Sequence, residues 1–144
     1  MKVSTKGQHA LKIMLDFATH ANDGYIRLRD VADRQGLSKA YLEQIMVLLN
    51  KGDFFKTARG HQGGYRLAES PASYTLGDIL RVTEGDLAIV DEERPGDASD
   101  TRVATMVSDV WDNIANVITS YLDSKTLQDI LDEHREEDAY DFVI

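Results

Sequence analysis

Residues 59–65 read Arg-Gly-His-Gln-Gly-Gly-Tyr, with three glycines in seven positions, and this stretch limits what the chain can fold into. Phe54-Phe55-Lys56-Thr57-Ala58 precedes it and Tyr65-Arg66-Leu67 follows. Two short runs of strand formers around a glycine-containing loop predict a β-hairpin. A two-stranded hairpin is marginal in water on its own, so the segments before it must cover one of its faces.

Those segments read as helices. Ser4 or Thr5 offers an N-cap, and Leu11, Met14, Phe17, Ala18 and Ala21 then share one face, widened by Ile13 and Leu15. Asn22-Asp23-Gly24 ends this helix, and Tyr25-Ile26-Arg27-Leu28 is an extended link or a minor strand. A short helix over 29–35 turns Val31 and Ala32 inward and stops at Gly36. Ser38 caps the next helix, from about Lys39 to Lys51, with Leu42, Ile45, Met46 and Leu49 inward at spacings of three and four. Its outward face carries Lys39, Tyr41, Glu43, Gln44 and Lys51. A helix, a glycine turn and a capped second helix make a helix-turn-helix, and the glycine-rich hairpin that follows makes it a winged one.

Beyond the hairpin, Thr75 and Asp78 form a capping-box pattern for a helix over 76–83 that buries Ile79, Leu80 and Val82. Residues 86–100 are acidic, aperiodic and contain Pro95 and Gly96, the pattern of a loop. From 101 to 123 one long helix places Val103, Val107, Val110, Ile114, Val117 and Tyr121 at steps of 4, 3, 4, 3 and 4, the period of a coiled-coil seam. Met106, Trp111, Ile118 and Leu122 form an adjoining stripe. Such a helix either packs on its own domain or pairs with a second copy. The winged domain is nearly complete by residue 85, which favours a homodimer through these side chains. A last short helix, capped by Thr126, buries Leu127, Ile130 and Leu131, and an acidic tail ends in Tyr140-Asp141-Phe142-Val143-Ile144. The expected fold class is therefore mainly α with a small β-hairpin. The units are a winged domain over 1–85, an acidic loop over 86–100, a dimerisation helix over 101–123 and a short helix with tail over 124–144.

The charge supports a division of labour. Residues 1–68 hold 11 Lys/Arg against 6 Asp/Glu, while residues 69–144 hold 5 against 19. A basic half suits a polyanion even though the whole chain carries −9. There are no cysteines, which removes disulfides, thiolate metal sites and cysteine nucleophiles. The four histidines are scattered, and no Gly-x-Ser-x-Gly or phosphate-loop pattern occurs, so neither an enzyme, a metal site nor a cofactor is expected. The N-terminal residues lack a secretory h-region and no apolar run is long enough to span a bilayer, which gives a cytoplasmic expectation without a membrane partner.

Double-stranded DNA uses what remains. The second helix of a helix-turn-helix enters the major groove with its N-terminal residues at the base edges, here Ser38, Tyr41, Glu43 and Gln44. Gln44 suits adenine. Glu43 either accepts from cytosine or clamps Gln44 or a basic neighbour. Lys6, Lys39 and Lys51 suit phosphates, with Ser4 or Thr5 and a helix N-terminus adding neutral contacts. In the wing, Arg59 suits the narrow minor groove, Gly60 a close backbone approach, and His61 and Gln62 unspecific contacts at the tip. A protein-interaction module that has kept the winged fold and lost DNA binding is the alternative.

Ser4-Thr5-Lys6-Gly7, Leu37-Ser38 with Tyr41-Leu42-Glu43-Gln44, and Arg59-Gly60 with Gly63-Gly64-Tyr65 together resemble the Rrf-two family of bacterial transcription regulators, over nearly the whole chain. The resemblance implies homodimers, palindromic operators and repression. Members that sense iron or nitric oxide hold a cluster on three cysteines in the region matching 86–100, where this chain has none. The chain is more similar to the family's cluster-free cysteine-metabolism repressors. That subgroup implies cysteine synthase as a partner, reached through Tyr140, Asp141, Phe142 and Ile144; the other reading of this tail is that it folds back on its own dimer.

Overall fold

A computed structural model describes residues 1–61, 63–91 and 101–141, with side chains through residue 135. Helix α1 (Thr5–Thr19) starts where the Ser4 hydroxyl oxygen accepts the Gly7 N–H at 3.0 Å. Its most deeply buried side chains are Ala10, Ile13, Met14 and Phe17, while Leu11 and Leu15 are only partly covered. The buried stripe is thus rotated from the one the periodicity suggests. Different neighbours cover α1 from different sides, and no single 3.6-residue face describes that.

Helix α2 (Leu28–Gln35) ends at Gly36, whose φ of 65° closes the turn in a conformation that costs glycine little. Helix α3 (Lys39–Asn50) is capped by Ser38, whose hydroxyl accepts the Tyr41 N–H at 3.1 Å. It buries Leu42, Ile45, Met46 and Leu49, as the spacing predicts. Strands β1 (Phe55–Ala58) and β2 (Gly64–Leu67) pair antiparallel, Phe55 opposite Leu67 and Ala58 opposite Gly64. Ile26 adds an isolated bridge to Tyr65, exchanging both backbone hydrogen bonds at 2.7 and 2.8 Å, so the segment expected as an extended link or a minor strand is an extended link that leans on the wing at one residue.

Tyr74 follows a single 3-10 turn (Pro71–Ser73) and is buried, although its surroundings read as a loop. Its hydroxyl donates to the Phe54 carbonyl at 3.2 Å and accepts the Glu69 N–H at 2.7 Å, which satisfies a buried polar tip. Helix α4 (Leu76–Glu84) opens on the expected Thr75–Asp78 capping box. Helices α5 (Thr101–Ser124) and α6 (Leu127–Asp141) complete the described chain. The last helix is longer than the short one expected, because its 3.6-residue pattern stops near Leu131 while the helix continues through acidic residues.

One apolar core joins α1, α2, α3, the hairpin, Tyr74 and Ile79, and it also takes in Leu127 from α6, which is fully buried. The winged unit therefore draws on a helix that lies beyond the acidic stretch. A smaller cluster of Leu76, Leu80 and Leu122, flanked by Val3, Leu87 and Ile118, seats the C-terminal part of α5 on α4. Arg81 ties the same two helices through paired hydrogen bonds to Asp123 at 2.6 and 2.9 Å. No helix among the described residues is long and apolar enough to cross a membrane.

Candidate nucleic-acid interface

The orientation of α2, which leads into α3, is set from beneath. Asp16 on α1 is buried and receives Arg34 Nη2 at 2.7 Å, Arg34 Nε at 3.0 Å and Gln35 Nε2 at 2.6 Å. Burial pushes this carboxyl up, but the hydrogen bonds from Arg34 and Gln35, with the charges of Arg34 and His20, outweigh it and hold the group below the usual carboxylate range. The α1–α2 angle is therefore fixed by a charged contact as well as by apolar packing.

With its inner face buried, α3 presents Ser38, Lys39, Ala40, Glu43 and Gln44 to solvent, then Val47 and, past its end, Lys51. Lys39 Nζ lies 4.0 Å from a Glu43 oxygen, one helical turn on, which favours the clamp reading of Glu43 in the free protein. Tyr41 departs from its expected place. It is half-buried, its ring stands edge-on to His9 at 5.3 Å, and its hydroxyl is 2.8 Å from His9 Nδ1. This contact brings the start of α1, with exposed Thr5 and Lys6, alongside the start of α3.

Ser4 is also more committed than expected. Its N–H and its hydroxyl both donate to Glu84 Oε1, at 3.0 and 2.6 Å. Gly7 makes room for that carboxylate, since a Cβ there would stand 2.0 Å from the same oxygen. Ser4, one of the two neutral donors assigned to phosphate at this helix start, is thus already engaged by an internal anion, while Thr5 stays exposed.

The wing lies across a groove of about 420 Å³ from α3, with Arg27, Arg29 and Lys39 among its lining residues. Its glycines have local reasons. Gly60 has φ 99°, a Cβ on Gly63 would meet the Ala58 carbonyl oxygen at 2.3 Å, and one on Gly64 would meet the Ile26 carbonyl oxygen at 2.3 Å. Hairpin closure and docking onto Ile26 account for all three, so they do not by themselves argue for DNA. Arg59 is the separate observation: it is exposed at the base of the loop. Sequence reasoning missed Arg27, whose guanidinium donates from Nη2 to the His61 carbonyl, and Val47, 63% exposed on the outward face of α3. A turn-by-turn projection of α3 would have found Val47, whereas no local pattern marks Arg27.

On α5, Val103, Met106, Val107, Val110, Trp111, Ile114, Val117 and Tyr121 are exposed, Val117 at 72%. Ile118 turns instead toward Leu76, Leu80 and Leu122 of its own chain. Gln62, Phe142 and Ile144 lie outside the described residues, as do the side chains of Tyr140 and Asp141.

Comparison with known proteins agrees with this geometry. The family model for Rrf2, described as "Iron-dependent Transcriptional regulator", matches residues 3–133. The HTH-type transcriptional regulator CymR of Bacillus subtilis (strain 168) is 34% identical over 148 residues, spanning 100% of both chains. The HTH-type transcriptional regulator IscR of Aliivibrio salmonicida (strain LFI1238) is 33% identical over 132 residues, 91% of this chain and 77% of that one. The solved structure of CymR, described as the global cysteine regulator of B. subtilis, superposes with a TM-score of 0.78 at 35% identity, over 90% of this chain and 95% of that chain. The iron in the family description needs a donor set. A thiolate-held cluster requires cysteines, and the chain has none. Among the described residues no three His, Cys, Asp or Glu gather where they could hold a metal ion, so the residues present do not fit such a centre.

Proposed function

The chain belongs to the Rrf2 family of transcriptional regulators, and on that premise we propose that it works in the cytoplasm as a homodimeric, cluster-free repressor of cysteine and sulfur metabolism. The observation that carries the DNA part of this reading is one juxtaposition. The exposed face of α3, led by Ser38 and Lys39 with Glu43 and Gln44, stands across a basic groove from the wing that bears Arg59. A major groove about 12 Å wide admits such a helix, and an adjacent wing then reaches the neighbouring minor groove.

In this reading Gln44 reads a base edge, Lys39, Lys51, Lys6 and Thr5 meet phosphates, and Arg59 enters the minor groove. Glu43 is released from Lys39 to accept from a base when α3 docks. The exposed seam of α5 pairs two copies so that two α3 helices fall on successive half-sites of a palindrome. A winged module that no longer binds DNA is the competing reading.

Selection of bound sites from random duplex DNA, followed by a mobility shift on the recovered motif, separates the two. The expected result is a palindrome bound with an affinity that falls on the order of 10³-fold between 50 and 200 mM salt if about six phosphates are neutralised per dimer. Recovery of no motif, together with salt-insensitive binding, sinks the DNA reading. The sulfur assignment rests on the relative described as the global cysteine regulator of B. subtilis. It extends to residues 140–144 docking on cysteine synthase, and equal capture of that enzyme by the full chain and by a chain cut after Tyr140, or no capture by either, removes it.

A further inference from the structure

Arg27 stands where the chain leaves its bridge to the wing and enters α2, as the residue that precedes the first helical turn, with φ −75° and ψ 139°. Its backbone is held on one side by the Ile26–Tyr65 bridge and on the other by α2. From that fixed base its side chain reaches across 34 residues of sequence to the His61 carbonyl at the far end of the hairpin, Nη2 donating. The wing is thus gripped twice, through the Ile26 bridge to Tyr65 on the strand that leaves the loop and through Arg27 in the loop itself.

The exposure of this second grip makes it informative. Hydrogen bonds made in full solvent add little to stability, so folding alone gives no account of an arginine committed to a carbonyl there. Orientation does. A two-stranded hairpin swings unless something holds its end, and Arg59 lies two residues before the gripped His61, on the side of the loop that the Ile26–Tyr65 bridge does not hold. An arginine gains from a narrow minor groove only when its guanidinium arrives at the right depth. Arg27 also lines the groove shared with Lys39 and Glu43, so it stands between the wing and α3. Among the described residues no carboxylate forms an ion pair with it, so its place is not dictated by an acid.

We propose that Arg27 is a positioning residue that sets the pitch of the wing against α3, and that the groove-width discrimination made by Arg59 depends on it. This rests on the DNA reading above.

The test compares two duplexes, the selected operator and the same operator with G/C pairs placed under the wing. Affinities are measured for wild type, Arg27→Ala, Arg59→Ala and the double variant, with thermal melting to check the fold. Wild type is expected to prefer the selected site. Arg27→Ala is expected to lose on the order of five-fold of that preference, the low end of the cost of one misplaced base contact. The double variant is expected to lose no more than Arg59→Ala alone. Equal weakening on both duplexes, or losses that multiply in the double variant, overturns the proposal, because Arg27 is then a phosphate contact independent of the wing. Should the alanine variant melt early, Arg27→Lys keeps the charge without the planar fork; its preference is expected to fall, and an unchanged preference overturns the proposal. A wild-type protein with no preference for any duplex over random DNA is the separate failure of the DNA reading itself.

Discussion

Asp16 is only 5% exposed, in a helix whose other buried residues are Gly7, Ala10, Ile13, Met14, Phe17 and Ala18. Such a carboxylate is tolerated because Arg34 and Gln35 satisfy it, and removing its charge leaves Arg34 without its partner. Asp16→Asn is expected to cost about 2 kcal/mol near pH 7, less than a fully buried pair because the Arg34 side chain is 35% exposed. The folded carboxyl lies below its unfolded value, so its contribution is fully present above the unfolded range, about pH 4, and fades as pH falls through the lower folded value. Melting curves of both proteins should differ by a constant amount from pH 7 to about pH 5 and converge in stronger acid. A gap that persists in strong acid would refute this account. At Gly63 the constraint is steric, since a Cβ would meet the Ala58 carbonyl oxygen. Gly63→Ala should therefore lower the melting temperature, because the hairpin backbone must shift and Phe55, Tyr65 and Leu67 join it to the core, and should weaken operator affinity on the order of ten-fold.

At the level of elements, the helix-turn-helix was legible because its signals are local. Gly36, the Ser38 cap and the four inward residues of α3 each act within one or two turns, and each appears where the spacing puts it. Ser38→Ala should cost about 1 kcal/mol by orphaning the Tyr41 N–H, read as a fall of roughly 3–5 °C in melting temperature. A larger fall would mean that Ser38 does more than cap. What could not be read was contact at a distance. Ser4 with Glu84, Arg27 with His61 and Asp16 with Arg34 join positions 80, 34 and 18 residues apart. Sequence periodicity carries no information about such pairs. The rotated stripe of α1 and the half-buried Tyr41 share this cause, because which side of a helix is covered depends on neighbours arriving later in the chain. The glycines of the wing show the reverse case: their positions were legible, but their reasons were backbone crowding rather than approach to a ligand.

For the whole molecule, the exposed seam of α5 is the surface through which the proposed dimer would form. Eight large apolar side chains facing water on one helix exceed what isolated surface residues explain. Val110→Glu with Val117→Glu should convert the dimer to a monomer in sedimentation, keep the helical signal and weaken operator binding by about 10²-fold or more, as linked half-site recognition is lost. A variant that still sediments as a dimer puts the interface elsewhere.

The backbone bridge between Thr75 and Thr126 bears on how such a chain changes over time. The Leu76 N–H donates to the Lys125 carbonyl at 2.9 Å and the Leu127 N–H to the Tyr74 carbonyl at 3.0 Å, so α4 and α6 begin side by side. The chain that leaves the winged unit after α4 thus returns, at the end of α5, to the start of α4. The closure entropy of such a detour grows by only about 0.6 kcal/mol for each doubling of its flexible length. Lengthening or rewriting the acidic stretch inside it is therefore expected to be nearly neutral for the fold of the winged unit outside it.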